Sequence, residues 1–225
     1  MKFLEDMLEK QYGIEIAQKI IKGYLAKRKT TLRINTIKSN IEEIKKELEK
    51  EKIEYETIKW SKEALIIKNA DEKSIQEMEI YKNGKIYLQS LSSMLPPIIL
   101  EPKEGTDILD MAAAPGGKTT QIAAITNNKA HITACEKNKI RAERLKYNVD
   151  KQGATCVFIM PKDSRFIDDF FSFDQILLDA PCSGSGTLDY NDANIEKYFT
   201  EQLVERSSKT QKTLLAKAIK LLKAK

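Results

Sequence analysis

Apolar side chains recur at helical spacing between residues 3 and 27: Leu4, Met7 and Leu8, then Ile16, Ile20, Ile21 and Tyr24. Gly13 divides this run into two helices. Thr31 to Thr36 alternates as a strand, and Asn40 can cap a charged helix from Ile41 to about Lys52, with its stripe at Ile41, Ile44 and Leu48. Strands are predicted near Ile53–Trp60 and Ala64–Lys68. Asn83-Gly84 reads as a hairpin turn before a strand at Lys85–Leu88. Together these make a small, lysine-rich α+β domain over residues 1–90, βαβ-like in its middle.

Pro96-Pro97 and the stretch from Pro102 to Gly105 mark the passage to a second pattern over residues 91–225. Strand Asp107–Met111 leads to helix Gly117–Ile125, strand His131–Cys135 and helix Lys139–Lys151. Strands Thr155–Met160 and Phe173–Leu178 follow, then helices near Ile195–Phe199 and Glu201–Lys223. Strands alternating with helices, and nearly continuous apolar runs such as Gln175-Ile176-Leu177-Leu178, predict an α/β fold with a parallel sheet covered on both faces. The last helix shows Lys209, Lys212, Lys217, Lys220, Lys223 and Lys225 as a solvated face.

Charge and cysteines narrow the classes. Thirty-eight basic against 33 acidic side chains give a net charge of +5, a mild excess compatible with nucleic acid. Cys135, Cys156 and Cys182 are too far apart for a disulfide framework or a zinc-ligand pattern, so no metal is expected, and reduced thiols fit the cytoplasm. Met1 to Asp6 reaches acidic residues before any apolar run, unlike a signal peptide. The apolar stretch Met94–Leu100 is far too short to span a bilayer, so no membrane partner is expected. The single histidine, His131, sits within a strand, where a structural role is the expectation; histidine-based nucleophilic catalysis has little support.

The first strand of the second pattern runs into Ala112, Ala113, Ala114, Pro115, Gly116, Gly117 and Lys118. Such small residues let a ligand lie against the backbone, at the strand end where open parallel sheets bind ligands. A P-loop would need glycine at Ala112, and Pro115 has no N–H to give a phosphate; the dinucleotide pattern is absent too. A neutral or cationic cofactor remains, and S-adenosylmethionine is of that kind. Glu136 stands about 20 positions on, as an acid that bonds a ribose diol would. Asp163, after the third strand, is placed to reach an adenine edge.

Asp179-Ala180-Pro181-Cys182-Ser183-Gly184-Ser185-Gly186-Thr187 follows the fourth strand, adjacent to the first in a doubly wound sheet. It offers a carboxylate and a thiol beside the expected cofactor. Carbon 5 of a pyrimidine is a poor nucleophile, and a thiolate adding at carbon 6 turns it into an enamine that accepts a methyl group.

With these stretches the chain resembles the Sun family of RNA (cytosine-5)-methyltransferases. The likeness also takes in Tyr87-Leu88-Gln89-Ser90-Leu91-Ser92-Ser93-Met94-Leu95-Pro96-Pro97, Asp163-Ser164-Arg165, and Leu32-Arg33-Ile34-Asn35. It implies a Rossmann-like S-adenosylmethionine-dependent methyltransferase sheet, preceded by a small RRM-like α+β domain that binds ribosomal or transfer RNA. By the same resemblance, Ala112 to Lys118 hold the cofactor, Glu136 its ribose with Arg141 nearby, and Asp163 its adenine. Asp179 lies beside the methionine moiety or the target base, and Cys182 matches the cysteine that assists product release. In the family a further strand carries the nucleophilic cysteine in a Thr-Cys-Ser motif, and this sequence reaches Lys225 before it. The expectation is a chain that binds cofactor and RNA but turns over only if another chain supplies the rest. The alternatives are that Cys182 is itself the nucleophile, or that the chain is a non-catalytic RNA-binding fragment.

Overall fold

The computed structural model describes residues 1–192 and 194–224, without the side chain of Glu196; Lys225 of the expected lysine face lies outside them. The chain divides into two compact units, Met1–Arg28 with Ala180–Thr213, and Lys29–Asp179 with the segment from Leu214 onward.

The first unit begins with α1 (Lys2–Tyr12) and α2 (Ile14–Gly23), separated at Gly13 as the sequence suggests. The larger unit opens with β1 (Thr31–Ile34), α3 (Ile41–Lys50), β2 (Tyr55–Ile58), β3 (Ser61–Ile67), α4 (Glu72–Glu77), α5 (Glu79–Lys82) and β4 (Ile86–Leu88). These strands form an antiparallel sheet in the order β2-β3-β1-β4, the ferredoxin-like arrangement. Period-two alternation sends Leu32, Ile34, Leu65, Ile67 and Ile86 to one face, against Ile44 and Leu48 of α3 and Ile75 and Ile80 of α4 and α5. Asn40 caps α3, its side chain accepting from the Glu43 N–H at 2.9 Å.

Two expectations are corrected here. Asn83-Gly84 is not a hairpin turn: it ends α5, and β4 pairs with β1 rather than with β3. The crossover through α4 and α5 was legible in Asp71, whose carboxylate caps α4 by accepting from Ser74 N at 2.8 Å. Nor do Pro96 and Pro97, read as marking a passage, lie between elements; both sit inside α6 (Leu91–Leu100). Proline at 97 has no N–H for the Ser93 carbonyl, and the Gln89 side-chain amide donates to that oxygen instead, at 3.0 Å.

The second sheet contains β5 (Asp107–Asp110), β6 (His131–Cys135), β7 (Val157–Met160) and β8 (Gln175–Leu177), all parallel, in the order β7-β6-β5-β8. Helices α7 (Gly117–Ile125) and α8 (Lys139–Gln152) connect β5 to β6 and β6 to β7. Ile108, Ile132, Ala134 and Leu177 pack with Ile122, Ala123, Leu145 and Val149 in its core. Strand order reverses between β5 and β8, and a crevice at the carboxyl ends of strands is expected there.

After α9 (Ile195–Tyr198), α10 (Glu201–Leu221) ends beside β8, where Leu222 forms a parallel bridge with Phe173. Lys209, Lys212 and Lys220 are exposed, but two of the expected solvated lysines are engaged. Lys217 pairs with Asp169, and Lys223 reaches Asp107 and Asp174 at 3.1 and 2.9 Å.

Candidate functional site

At the crevice a cavity of 260 Å³ is lined by Asp110 from β5, Ala112 to Pro115, Gly117 and Lys118, by Tyr87 to Ser90 and Ser93, and by Asp179 after β8. The bend from 111 to 118 is held from behind by its carbonyls. Ser164 Oγ donates to Met111 O at 2.8 Å, Arg141 to Ala114 O at 2.8 Å, Asn148 to Pro115 O at 2.7 Å, and Arg33 to Gly117 O at 2.7 Å. Gly116 has φ 109°, which only glycine adopts without strain. Gly117 is small for a packing reason: a Cβ there would stand 3.0 Å from the ring of Tyr87. The first N–H groups of α7 have no partner within the helix, so the floor of the cavity offers donors.

Charged groups face one another across this cavity. Lys118 Nζ lies 2.8 Å from Asp179 Oδ2 and donates to Ser93 Oγ at 2.7 Å. Asp179 Oδ1 accepts no hydrogen bond from the described residues, and the side chain is half exposed. Asp110 is buried, accepting from Thr119 Oγ1 at 2.7 Å and more weakly from Ala112 N at 3.4 Å. Burial outweighs those bonds and pushes its carboxyl from 3.8 up to about 6.

The native state therefore holds the Asp110 proton more tightly than the unfolded chain does, and stability falls as pH rises from about 4 to 6. The expected loss is about 3 kcal/mol, from roughly 1.4 kcal/mol per pKa unit. Urea unfolding of Asp110→Asn and of the parent should differ little at pH 4 and by about 2–3 kcal/mol in favour of the variant at pH 7. An equal difference at both pH values would refute the assignment.

The sequence-derived candidates separate into groups. Ala112 to Pro115, Gly117, Lys118 and Asp179 come together at the cavity; Gly116 shapes the bend without lining it. Glu136 and Arg141 do not line it. Glu136 is buried, accepts from Asn138 N at 2.9 Å, and lies 3.2 Å from Arg141, which in turn holds the bend. Asp163 is engaged by Arg165 at 2.6 Å, which holds its carboxyl below the usual range. Cys182 belongs to the first unit, is exposed, and accepts from Gly184 N at 3.4 Å.

Tyr87, Gln89 and Ser93 were not singled out from their chemistry, only through the likeness of the stretch from 87 to 97, and Asp110 only as the residue that opens the small-residue stretch. Arg33 entered only through the likeness of Leu32-Arg33-Ile34-Asn35, with no role attached to it. It is 3% exposed, donates to Gln89 Oε1 at 2.9 Å, Gly117 O at 2.7 Å and Thr120 Oγ1 at 3.0 Å, and packs against Tyr87. Gln89 then donates to Gln121, and Gln121 to Met94 O. This network occupies the sheet face opposite α3, the face on which RRM modules stack bases.

Residues 97–225 match the family described as 16S rRNA methyltransferase RsmB/F, and residues 2–72 the ferredoxin-like domain of RsmF/B-like methyltransferases. The chain belongs to the RsmB/F family. Among its relatives, a tRNA (cytosine(49)-C(5))-methyltransferase from Pyrococcus abyssi is 41% identical over 195 residues, covering 86% of this chain and 62% of that protein. The 25S rRNA (cytosine-C(5))-methyltransferase nop2 of Schizosaccharomyces pombe is 34% identical over 221 residues, 97% of this chain and 36% of the relative. A methyltransferase homologue from Pyrococcus horikoshii, known from its crystal structure, superposes with a TM-score of 0.85 at 30% identity, covering 99% of this chain and 70% of that one. This RsmB/F chain thus spans about one third to two thirds of the length of the curated relatives named here.

Proposed function

We propose that this chain serves the transfer of a methyl group from S-adenosylmethionine to carbon 5 of a cytosine in ribosomal or transfer RNA. The observation that carries the reading is the cavity at the sheet's reversal point, with its small-residue bend and facing Asp179, in a chain 41% identical to a tRNA cytosine-C5 methyltransferase.

The residues suit the cofactor on charge. Two carboxyls, Asp110 and Asp179, and one ammonium, Lys118, line the cavity, which favours a ligand with excess positive charge. S-adenosylmethionine, when bound, supplies an electrophilic methyl group on a cationic sulfur. The α7 N-terminus would take its carboxylate, and Glu136, with Arg141 beside it, its ribose; Asp163 would face its adenine. A cavity of 260 Å³ is below the usual size of a complete cofactor site, so the adenosine half would lie outside it, over the ends of β6 and β7.

Asp179 would read the base. Lys118 and Ser93 fix one side of this group, and its free Oδ1 can accept from the exocyclic amine of cytosine, where uracil offers only an acceptor. Cys182, three residues later, is an exposed thiol suited to leaving-step assistance or to addition at carbon 6. The base must leave its stack to reach either group. The reaction would run in the cytoplasm; among the described residues no helix is long and apolar enough to cross a membrane.

Calorimetry with S-adenosylhomocysteine and radiolabel transfer from S-adenosylmethionine to tRNA and rRNA transcripts test this reading. Micromolar binding without turnover is expected for the 225 residues alone, with turnover restored by polypeptide corresponding to the remainder of a relative. Turnover by the chain alone that Cys182→Ala abolishes would make Cys182 the nucleophile. RNA binding with no S-adenosylhomocysteine binding would leave a non-catalytic RNA-binding fragment and end the methyl-transfer reading.

A further inference from the structure

Helix α8 braces the cavity with one side and turns another to solvent. Arg141 and Asn148 hold the bend, and Asn148 also reaches the Tyr87 hydroxyl at 3.4 Å. Beside them, Ile140, Arg144, Tyr147 and Lys151 follow one another at spacings of four, three and four residues, which makes a single stripe. Ile140 and Tyr147 are each 64% exposed, too open to serve a core.

We propose that this stripe, together with Lys38 and Tyr81, is the track along which single-stranded RNA runs toward the cavity. The inference rests on the RNA reading above and adds to it the surface that the RNA uses.

Charge is the first support. Among the described residues, Lys38, Arg144 and Lys151 have no carboxylate within ion-pair distance, and two of the adjacent acids are already engaged, while Glu143 beside Arg144 and Glu72 near Tyr81 leave the stripe a net positive balance of one. Asp150 pairs with Lys146 at 2.7 Å and Glu79 with Lys82 at 3.2 Å. Elsewhere in the ferredoxin-like half, Lys85 is neutralised by Glu43 and Lys68 by Glu56. Lys38 Nζ donates to the Lys151 carbonyl at 2.7 Å and to Asn83 O at 3.3 Å, so two cations are held together without an anion. Burial, and then Lys38, lower the Lys151 pKa, as expected of a group that a phosphate would stabilise.

Aromatic surface is the second. Lys151 Nζ lies 3.6 Å from the centre of the Tyr81 ring and 5.8 Å from that of Tyr147. An exposed ring flanked by unpaired cations is how proteins hold single strands, with a base on the ring and phosphates on the cations. Position is the third: the sheet face used by RRM modules is filled by Arg33, whereas the α8 stripe lies next to the residues that support the cavity. Lys38 also caps the C-terminal carbonyls of α8, a structural role that explains neither Arg144 nor Tyr147.

Fluorescence anisotropy with a labelled 20-nucleotide single-stranded RNA, measured across a salt series, tests the track; Lys38 stays in place to preserve the cap. The variant Arg144→Gln/Lys151→Gln should bind at least five-fold more weakly and with a salt slope shallower by about 1.4, two phosphates at about 0.7 each. Tyr147→Ala should lose about five-fold or more with an unchanged slope. Lys45→Gln/Lys46→Gln, which removes equal charge from α3, should keep the parent's affinity within two-fold, and all variants should bind S-adenosylhomocysteine as the parent does. Parent binding with both stripe variants unaltered would overturn the track and leave the RNA reading standing. No RNA binding by the parent would overturn both. If the double variant fails to fold, crosslinking of thiouridine RNA to the parent decides: adducts on the peptide bearing Tyr147 support the track, and adducts only elsewhere refute it.

Discussion

Replacing Arg33 by methionine should lower the melting temperature by roughly 6–12 °C, the equivalent of about 3 kcal/mol in a domain of this size. The sign requires two opposing effects to be weighed. Burial has pushed the Arg33 guanidinium from 12.5 down to about 10, so its charge already costs about 3 kcal/mol of desolvation, which methionine would recover. Against this stand three bonds from a charged donor, to Gln89, Gly117 O and Thr120, each worth about 1.5–3 kcal/mol. Their loss leaves Gln89 Oε1 without a donor and removes from Gly117 O the shorter of its two side-chain donors, Thr120 remaining at 3.2 Å. The bonds outweigh the recovered desolvation. Arg33→Lys should be destabilising too, since an ammonium cannot span Gln89 and Thr120 as the planar fork does. Because Gly117 opens α7 at the cavity, S-adenosylhomocysteine should bind more weakly to both variants. A melting temperature within about 2 °C of the parent would show that the network is dispensable.

Gly84→Ala should be the more damaging change, costing about 4 kcal/mol or more and leaving little folded protein. Gly84 has φ 71°, and an added Cβ would stand 2.0 Å from the Lys151 carbonyl oxygen, a backbone atom that no rotamer can move. The two segments cannot easily part. The buried Asn35 amide donates to Gly84 O and to Gln152 O, both at 2.8 Å, and clamps them together. Gly105→Ala separates the causes, since Gly105 has φ 74° with nothing within 4 Å of its Cβ position. That substitution should cost only the 1–2 kcal/mol of a left-handed residue. Urea midpoints of the two variants measure the difference, and equal costs would remove the clash from the explanation.

The elements that could be read in the sequence are those whose own pattern decides them. Helix Gly117–Ile125 and strand His131–Cys135 were placed correctly, because a bend of small residues and an apolar run are local signals. Helix α6 was not, because two prolines argue against a helix unless a side chain, here Gln89 just ahead of it, serves the stranded carbonyl. The same division runs through the site. The bend and Asp179 announced themselves, while Asp110 and Arg33 matter through burial, which spacing does not reveal. Lysine content suggested a nucleic-acid partner, yet only the folded chain distinguishes Lys85, paired with Glu43, from Lys151, which has no such partner among the described residues.

The first unit joins segments from far apart in the chain. Leu4, Leu8 and Ala17 share a core with Leu188 and Phe199, and Phe3 stacks on Phe199 with ring centres 5.6 Å apart. During synthesis the opening helices therefore wait, each with only the other for cover, until the ribosome has released Phe199. That core closes over a loop from Leu4 to Phe199, so a lesion at Leu4 or Leu8 should loosen the packing of Leu188 and Phe199.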